Sequence, residues 1–403
     1  LKKNPDTYTV YLIMRGWASL IHYGWLTVML LYHTTVITSD PLQLALIGVV
    51  LEGTTFLFEI PTGVFADTYG RRLSVIVSFV LIAIAMLIEG SFPYYAMILL
   101  TQFLWGVGFT FYSGAADAWI ADEIGVDRAH AVYLRGTQIT QIMALLGTVL
   151  AVFLGSIRLN LPIVVGGIAL FGLVIFLIMF MRERGFQPAA RQERSVNSEM
   201  VGTFHKSVDL IRARPVFTSI LVVGVVTGLS VGGYDRLYTP FILESFTLPF
   251  FQPIIWFGIL SAVTLVLTIG VVEVVRRRFT SNRQTVEVLA LLYGGTIAGN
   301  LVFVLAPTLL LAILAFWFSQ SLRNASRPMI VTWINQHASS EVRATAISMY
   351  WQTNALGQIF GAPIIGAIGS LTTLRTALIT ASLTLSPTLA VFHRIIRQEK
   401  SEV

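Results

Sequence analysis

The chain contains no cysteine, which excludes disulfides, thiol chemistry and Cys-based metal sites. Charge is scarce as well. Asp, Glu, Lys and Arg make up 12% of the residues, about half of the roughly one quarter carried by a soluble domain. That deficit excludes a disordered chain, a nucleic-acid reader and an ordinary cytosolic enzyme. The six histidines, His22, His33, His130, His205, His337 and His393, show no metal-ligand spacing. No Walker string is present, so ATP is not expected to drive the protein directly. Gly228-Leu-Ser230-Val-Gly232 matches the G-x-S-x-G pattern of hydrolases, but it lies inside a long apolar run where a strand–turn–helix elbow has no place. No catalytic residue, metal or cofactor is therefore expected, and the chain is not read as an enzyme.

What is present is apolar surface. Hydrophobic residues make up 55% of the 403, and the mean hydropathy is +0.76. A spanning helix needs about 20 predominantly apolar residues, and that rule predicts twelve. They run over approximately 9–36, 42–66, 72–90, 94–124, 130–157, 161–181, 216–242, 250–275, 285–305, 308–336, 342–369 and 373–394. The expected fold class is an all-α integral membrane protein. Basic residues cluster between the runs, at Arg71-Arg72, Arg182 to Arg194, Arg276 to Arg278 and Arg394 to Lys400. With the N-terminus inside, 21 of the 27 basic residues fall on the cytoplasmic side. Only Arg158 and Arg375 fall outside, and Arg15, Arg236, Arg323 and Arg327 lie within spans. The Lys/Arg bias thus places both termini in the cytoplasm of a multi-pass cell-membrane protein. Lys2 and Lys3 lead straight into a run too long for an h-region, so no cleavable signal is expected. The initiator is expected upstream of Leu1.

The long polar stretch from Arg182 to Arg214 divides the runs into two sets of six. The expected organisation is an N-terminal bundle over 1–184, a cytoplasmic loop over 185–214 and a C-terminal bundle over 215–403. Residues 198–211 read as an amphipathic helix on the membrane surface. The halves look like repeats: at an offset of 214 residues Pro93 aligns with Pro307, Trp119 with Trp333, Gln138 with Gln352, and Gly147 with Gly361. Repeats of this kind point to a transporter with its site near mid-membrane between the halves.

Between the second and third spans stands Gly63-Val-Phe-Ala-Asp67-Thr-Tyr-Gly70-Arg71-Arg72. This resembles the loop motif of the major facilitator superfamily, G-x-x-x-D-[RK]-x-G-R-[RK], with Thr68 where a basic residue is usual. Gly63 is read as permitting close packing at the end of span 2, and Gly70 a tight turn. Asp67 is read as facing a helix N-terminus, with Arg71 and Arg72 as bidentate donors. The resemblance implies that Asp67 docks on the start of span 11. It also implies that an arginine of the motif pairs with Asp122 at the end of span 4, latching the outward-facing state. The pattern is closest to bacterial drug-efflux members, with two departures. Gln102-Phe-Leu-Trp-Gly106 stands where antiporters carry R-x-x-x-G, and Gly147 to Gly155 lacks the span 5 proline.

A charge inside a span costs about 2.5–3.5 kcal/mol on insertion scales, so each needs a partner or a task. Arg15, Glu59 and Asp117 sit at similar depth in the first half and form one candidate coupling cluster. Glu52 is nearest mid-membrane and is the first candidate proton carrier, with Asp235 in the second half. Arg323 and Arg327, one turn apart, could hold a substrate carboxylate or phosphate, or neutralise Asp235 or Glu52. Candidate cavity residues are His22, Gln102, Gln138, Tyr234, Arg236, Arg323, Arg327, Asn354 and Gln358. The expected activity is proton-coupled export of amphipathic organic compounds; the alternative is a symporter or uniporter for a nutrient, anionic metabolite or lipid. Expected partners are a small-molecule substrate, a proton or other coupling ion and the bilayer, with no nucleic acid, in a monomer.

Overall fold

A computed structural model describes residues 6–186, 215–278, 284–339 and 342–401. The helix expected over 198–211 lies outside the described residues. The architecture is all-α, with twelve membrane-length spans built, among the described residues, from fourteen α-helices. The first six spans comprise α1 (Thr7–Tyr32), α2 (Pro41–Tyr69), α3 (Arg71–Ser91), α4 (Tyr95–Tyr112) with α5 (Ala115–Ile124), α6 (Val126–Ile157) and α7 (Leu161–Phe180). The second six comprise α8 (Pro215–Ser245), α9 (Pro253–Arg278), α10 (Thr285–Leu305), α11 (Leu309–His337), α12 (Arg343–Leu371), and α13 (Leu374–Thr384) with α14 (Pro387–Ser401). Even the 20-residue α7 is about 30 Å long at 1.5 Å per residue, enough for the hydrocarbon core.

Eleven spans are long and apolar enough to cross a membrane by composition alone. The twelfth, Leu309–His337, falls short because its middle reads Ser319-Gln-Ser-Leu-Arg323-Asn-Ala-Ser-Arg327. The least apolar span is thus the one loaded with candidate site residues.

Helix ends follow local chemistry. Asp6 caps α1 by accepting from the Thr9 N–H at 2.9 Å, and hydrogen bonding from Thr9 holds its carboxyl below the ordinary aspartate value. Thr373 caps α13 in the same way. Two expected spans are broken. Span 4 stops at Ser113, where Gly114 adopts φ +74, and restarts as α5; a left-handed residue cannot continue a right-handed helix. Span 12 breaks before Pro387, which cannot donate to the preceding turn. At the far end of span 1, α1 widens into a π-turn over His33–Ile37.

The chain separates into two compact units. One comprises the described parts of Leu1–Thr38 and Gly53–Val201 together with Gln252–Gly258; the other comprises Ser39–Glu52 and the described parts of Gly202–Phe251 and Ile259–Val403. Each unit has the same glycine-mediated crossing. In the first, Gly147 on α6 meets α1, where an added Cβ would stand 2.1 Å from the Leu20 carbonyl oxygen. In the second, Gly361 on α12 meets α8, where a Cβ would stand 2.3 Å from the Leu229 carbonyl oxygen. These two glycines are the pair aligned by the 214-residue offset, so the repeat is written into backbone packing. Side chains such as Ile142, Val149 and Phe153 on α6 face outward, as a lipid-facing surface allows.

Candidate functional site

Four clusters of polar groups lie inside the two units. In the first unit, the break at Gly114 places Asp117 in the opening turn of α5. There its Oδ1 accepts from the Tyr11 hydroxyl at 2.6 Å and lies 3.8 Å from Arg15 Nη1. Arg15 also donates to the Tyr112 hydroxyl at 3.2 Å. Glu59 accepts from the Ser113 hydroxyl at 3.0 Å. Of the expected trio, Arg15 and Asp117 therefore adjoin directly, while Glu59 is tied to the residue at the helix break. Ser113 joins the two carboxylates through one turn of chain.

The second cluster was not legible beforehand. Glu89, near the end of α3, is fully buried. Its Oε1 accepts from Trp25 Nε1 at 3.2 Å and lies 3.0 Å from His33 Nε2. The Tyr32 hydroxyl donates to the Glu89 carbonyl at 3.1 Å. Trp25 and His33 of span 1 thus converge on the carboxylate, and Tyr32 on the backbone carbonyl of the same residue. Trp25 in turn stacks on Trp105, with ring centroids 4.7 Å apart, and His22 edges against Trp105 at 5.5 Å. These indoles are core, whereas Trp17 and Trp351 are exposed on their helices. Gln102 is fully buried beside this group on α4, and Gln138 is exposed, accepting from Arg135 at 2.9 Å.

The third cluster is the motif loop. Gly70 takes φ +115 and begins α3, a backbone geometry suited to glycine. Arg71 Nη1 pairs with Asp122 Oδ2 at 2.6 Å, and its Nη2 lies 3.9 Å from Asp67 Oδ1. Arg72 donates to the Ile178 carbonyl at 2.7 Å. The acid at the N-terminus of α3 is Glu183, whose Oε1 accepts from the N–H groups of Arg71 and Arg72 at 2.6 and 2.9 Å. A carboxylate there meets both free amides and the positive helix end. Glu123 completes the strap by accepting from the N–H groups of Arg184 and Gly185 at 2.5 and 2.7 Å. Trp119 Nε1 donates to the Arg182 carbonyl at 2.8 Å. Gly63 corrects the packing expectation, since a Cβ there would meet no atom within 4 Å.

The fourth cluster fills the second unit. Arg323 Nη1 donates to Asp235 Oδ1 at 2.5 Å and lies over the Tyr234 ring at 6.0 Å. Around Arg323 a cleft is lined by Thr227, Ser230, Tyr234, Tyr293, Thr296, Asn300 and Ser326. Nearly every one offers a hydroxyl or amide. Glu52, at the end of the α2 segment that groups with this unit, feels the charges of Arg236 and Arg327. Arg236 lies against Gly48, one turn before Glu52 on α2, where a Cβ would stand 2.8 Å from the Arg236 Nε. Asn354 donates to the Gly224 carbonyl at 3.2 Å and accepts from Gln358 at 3.1 Å, which fixes the α8–α12 crossing.

Comparison with known proteins agrees with this architecture. A curated relative, described as an uncharacterized MFS-type transporter YxaM from Bacillus subtilis (strain 168), is 23% identical over 340 residues, 82% of each chain. Among solved structures, the nucleoside transporter NupG is similar with a TM-score of 0.77 at 13% identity, covering 97% of this chain and 99% of that one. A peptide transporter POT in complex with sulfate is similar with a TM-score of 0.73 at 14% identity, covering 98% and 95%. A bacterial homolog of the human lysosomal transporter Spinster gives 0.72 at 16% identity, covering 97% and 96%. Residues 16–362 match the family described as Major Facilitator Superfamily, and the chain belongs to that family of small-molecule transporters.

Proposed function

We propose that the protein imports a small polar anion together with protons, by alternating access, with both termini in the cytoplasm. The observation that carries this reading is the charge balance of the second unit. On the α2 segment of this unit and away from the ends of α8 and α11, its described residues set three guanidiniums, Arg236, Arg323 and Arg327, against two acids, Glu52 and Asp235. Asp235 holds Arg323, and Glu52 lies within range of the charges of Arg236, Asp235 and Arg327. A proton on Glu52 leaves that positive charge to an incoming carboxylate or phosphate, so proton and anion would travel together. The similar proteins named for nucleosides and peptides carry polar cargo, which supports uptake over drug export.

The test is uptake of labelled small carboxylates, phosphate esters and nucleosides into proteoliposomes with an inward proton gradient. Anion uptake should rise with the gradient, and Glu52→Gln should remove that dependence. Arg327→Gln should lower anion uptake by about tenfold, the worth of one charge-assisted hydrogen bond. Equal uptake of a neutral compound by the native chain and both variants would overturn the reading.

Export of amphipathic cations keeps one support, the aromatic group around Trp105. Protonophore-sensitive loss of a cationic dye from cells would favour it. The Arg71–Asp122 pair is proposed as the conformational latch of the motif. Asp122→Asn is expected to slow uptake about tenfold with unchanged elution of the purified protein, since one charge-assisted contact is lost. Uptake at the native rate would remove the latch role.

A further inference from the structure

The pair formed by Glu89 and His33 has no place in the anion site, and it is unusually enclosed. The side chains are 0% and 1% exposed. Glu89 Oε1 serves both Trp25 and His33, whereas Glu89 Oε2 and His33 Nδ1 meet no hydrogen-bond partner among the described residues. Two unpartnered polar atoms at one enclosed site are costly unless the site's charge is kept low.

Among the described residues neither side chain makes an ion pair with any other group. From α4 (Tyr95–Tyr112) and α7 (Leu161–Phe180) no Asp, Glu, Lys, Arg or His faces the pair, because neither helix contains one. The tyrosines on or next to α4 are Tyr94, Tyr95 and Tyr112. On α1 the titratable neighbours are His22, in ring contact with Trp25, and Tyr32, bonded to the Glu89 carbonyl. The α6–α7 turn brings Asn160, which donates to the Gly90 carbonyl at 2.9 Å, and with it Arg158 two residues earlier. On α3 itself the other charges, Arg71 and Arg72, lie at the opposite end.

A carboxylate and a neutral imidazole carry one negative charge between them, and one added proton brings the pair to neutrality, whichever of the two holds it. We infer that Glu89 and His33 form a single-proton binding site, gripped by Trp25 and Tyr32, at the end of the first unit remote from the N-terminus. The π-turn starts at His33, and such wide turns often sit at functional positions. Unwinding that turn would bring water to the pair and let the proton leave as a solvated ion. The proton transfers between imidazole or carboxyl and water, with no other bond made or broken. Use of this proton in transport rests on the importer reading above; its binding does not.

The test therefore uses purified protein without substrate. Infrared difference spectra recorded across a pH titration report protonated carboxyl and imidazolium directly. One titrating event is expected that Glu89→Gln removes and His33→Gln shifts by at least one pH unit, a tenfold change in proton affinity. Trp25→Phe keeps the ring on Trp105 but removes the indole donor, and it should shift the same event. If Glu89→Gln fails to fold, the Trp25 and His33 variants still decide. Spectra superimposable among the native chain and the foldable variants would overturn the site, and would leave the anion-uptake reading standing. Failed anion uptake with these shifts intact would do the reverse.

Discussion

Asp235→Ala is expected to abolish uptake and to lower the stability of the purified protein by about 1.5–3 kcal/mol, the worth of a charge-assisted hydrogen bond in a pair whose carboxylate is 35% exposed. The guanidinium of Arg323 is mostly enclosed, at 18% side-chain exposure. Removing the carboxylate leaves that charge among hydroxyls and aromatic rings, which solvate it less well than an anion does. The exchange Asp235→Arg with Arg323→Asp keeps the pair but reverses its dipole. It should recover most of the stability, by thermal melting in detergent, while leaving uptake impaired. If Asp235→Ala melts with the native protein, the pair is not holding α8 to α11. If the swapped protein transports normally, the pair is structural only.

The second large effect is steric. Gly361→Val is expected to prevent assembly of a stable protein, because Leu229 meets the new side chain with its carbonyl oxygen at 2.3 Å and its Cα at 2.5 Å. Backbone atoms cannot rotate away, so the cost should exceed the roughly 1–3 kcal/mol of ordinary overpacking. Gly147→Val should fail equally, through the Leu20 backbone on α1. Gly63→Ala supplies the contrast, since open space surrounds it. Its yield and melting should match the native chain. The measurement is the monodisperse fraction on size-exclusion chromatography. A stable Gly361→Val protein would show that the α8–α12 crossing can widen at little cost.

Much of this fold was legible because the bilayer is a strict solvent. Long apolar runs have few alternatives to helices there, since every backbone amide must be satisfied within the chain. The breaks were not legible. Gly114 and Pro387 are weak signals inside strongly apolar runs, and only the adopted φ or the local turn decides whether a helix stops. The resemblance to the family motif implied that one of its arginines pairs with Asp122, and Arg71 stands 2.6 Å from that carboxylate.

Glu89 went unread because it stands one residue inside an expected helix end, where an acid normally reaches water. It is covered by side chains of span 1, a tertiary fact with no local mark beyond the closeness of Trp25, Tyr32 and His33. Glu52 lies inside α2, well away from both of its ends. Its partners come from α8 and α11, almost two hundred residues or more along the chain, and spacing cannot bring those together. Glu183 looked like one charge among many in a polar stretch, yet it closes the N-terminus of α3.

That closure bears on how the protein can be cut and fused. The four residues Arg182 to Gly185 are stitched to α3 and α5 by Glu183, Glu123 and Trp119. They belong mechanically to the first six helices, even though their charges make them look like linker. A split version for co-expressing the halves should divide the chain after Phe186, and a reporter should enter there too. A junction placed before Arg182 would strip the start of α3 of its carboxylate and loosen the arginine that the motif presents.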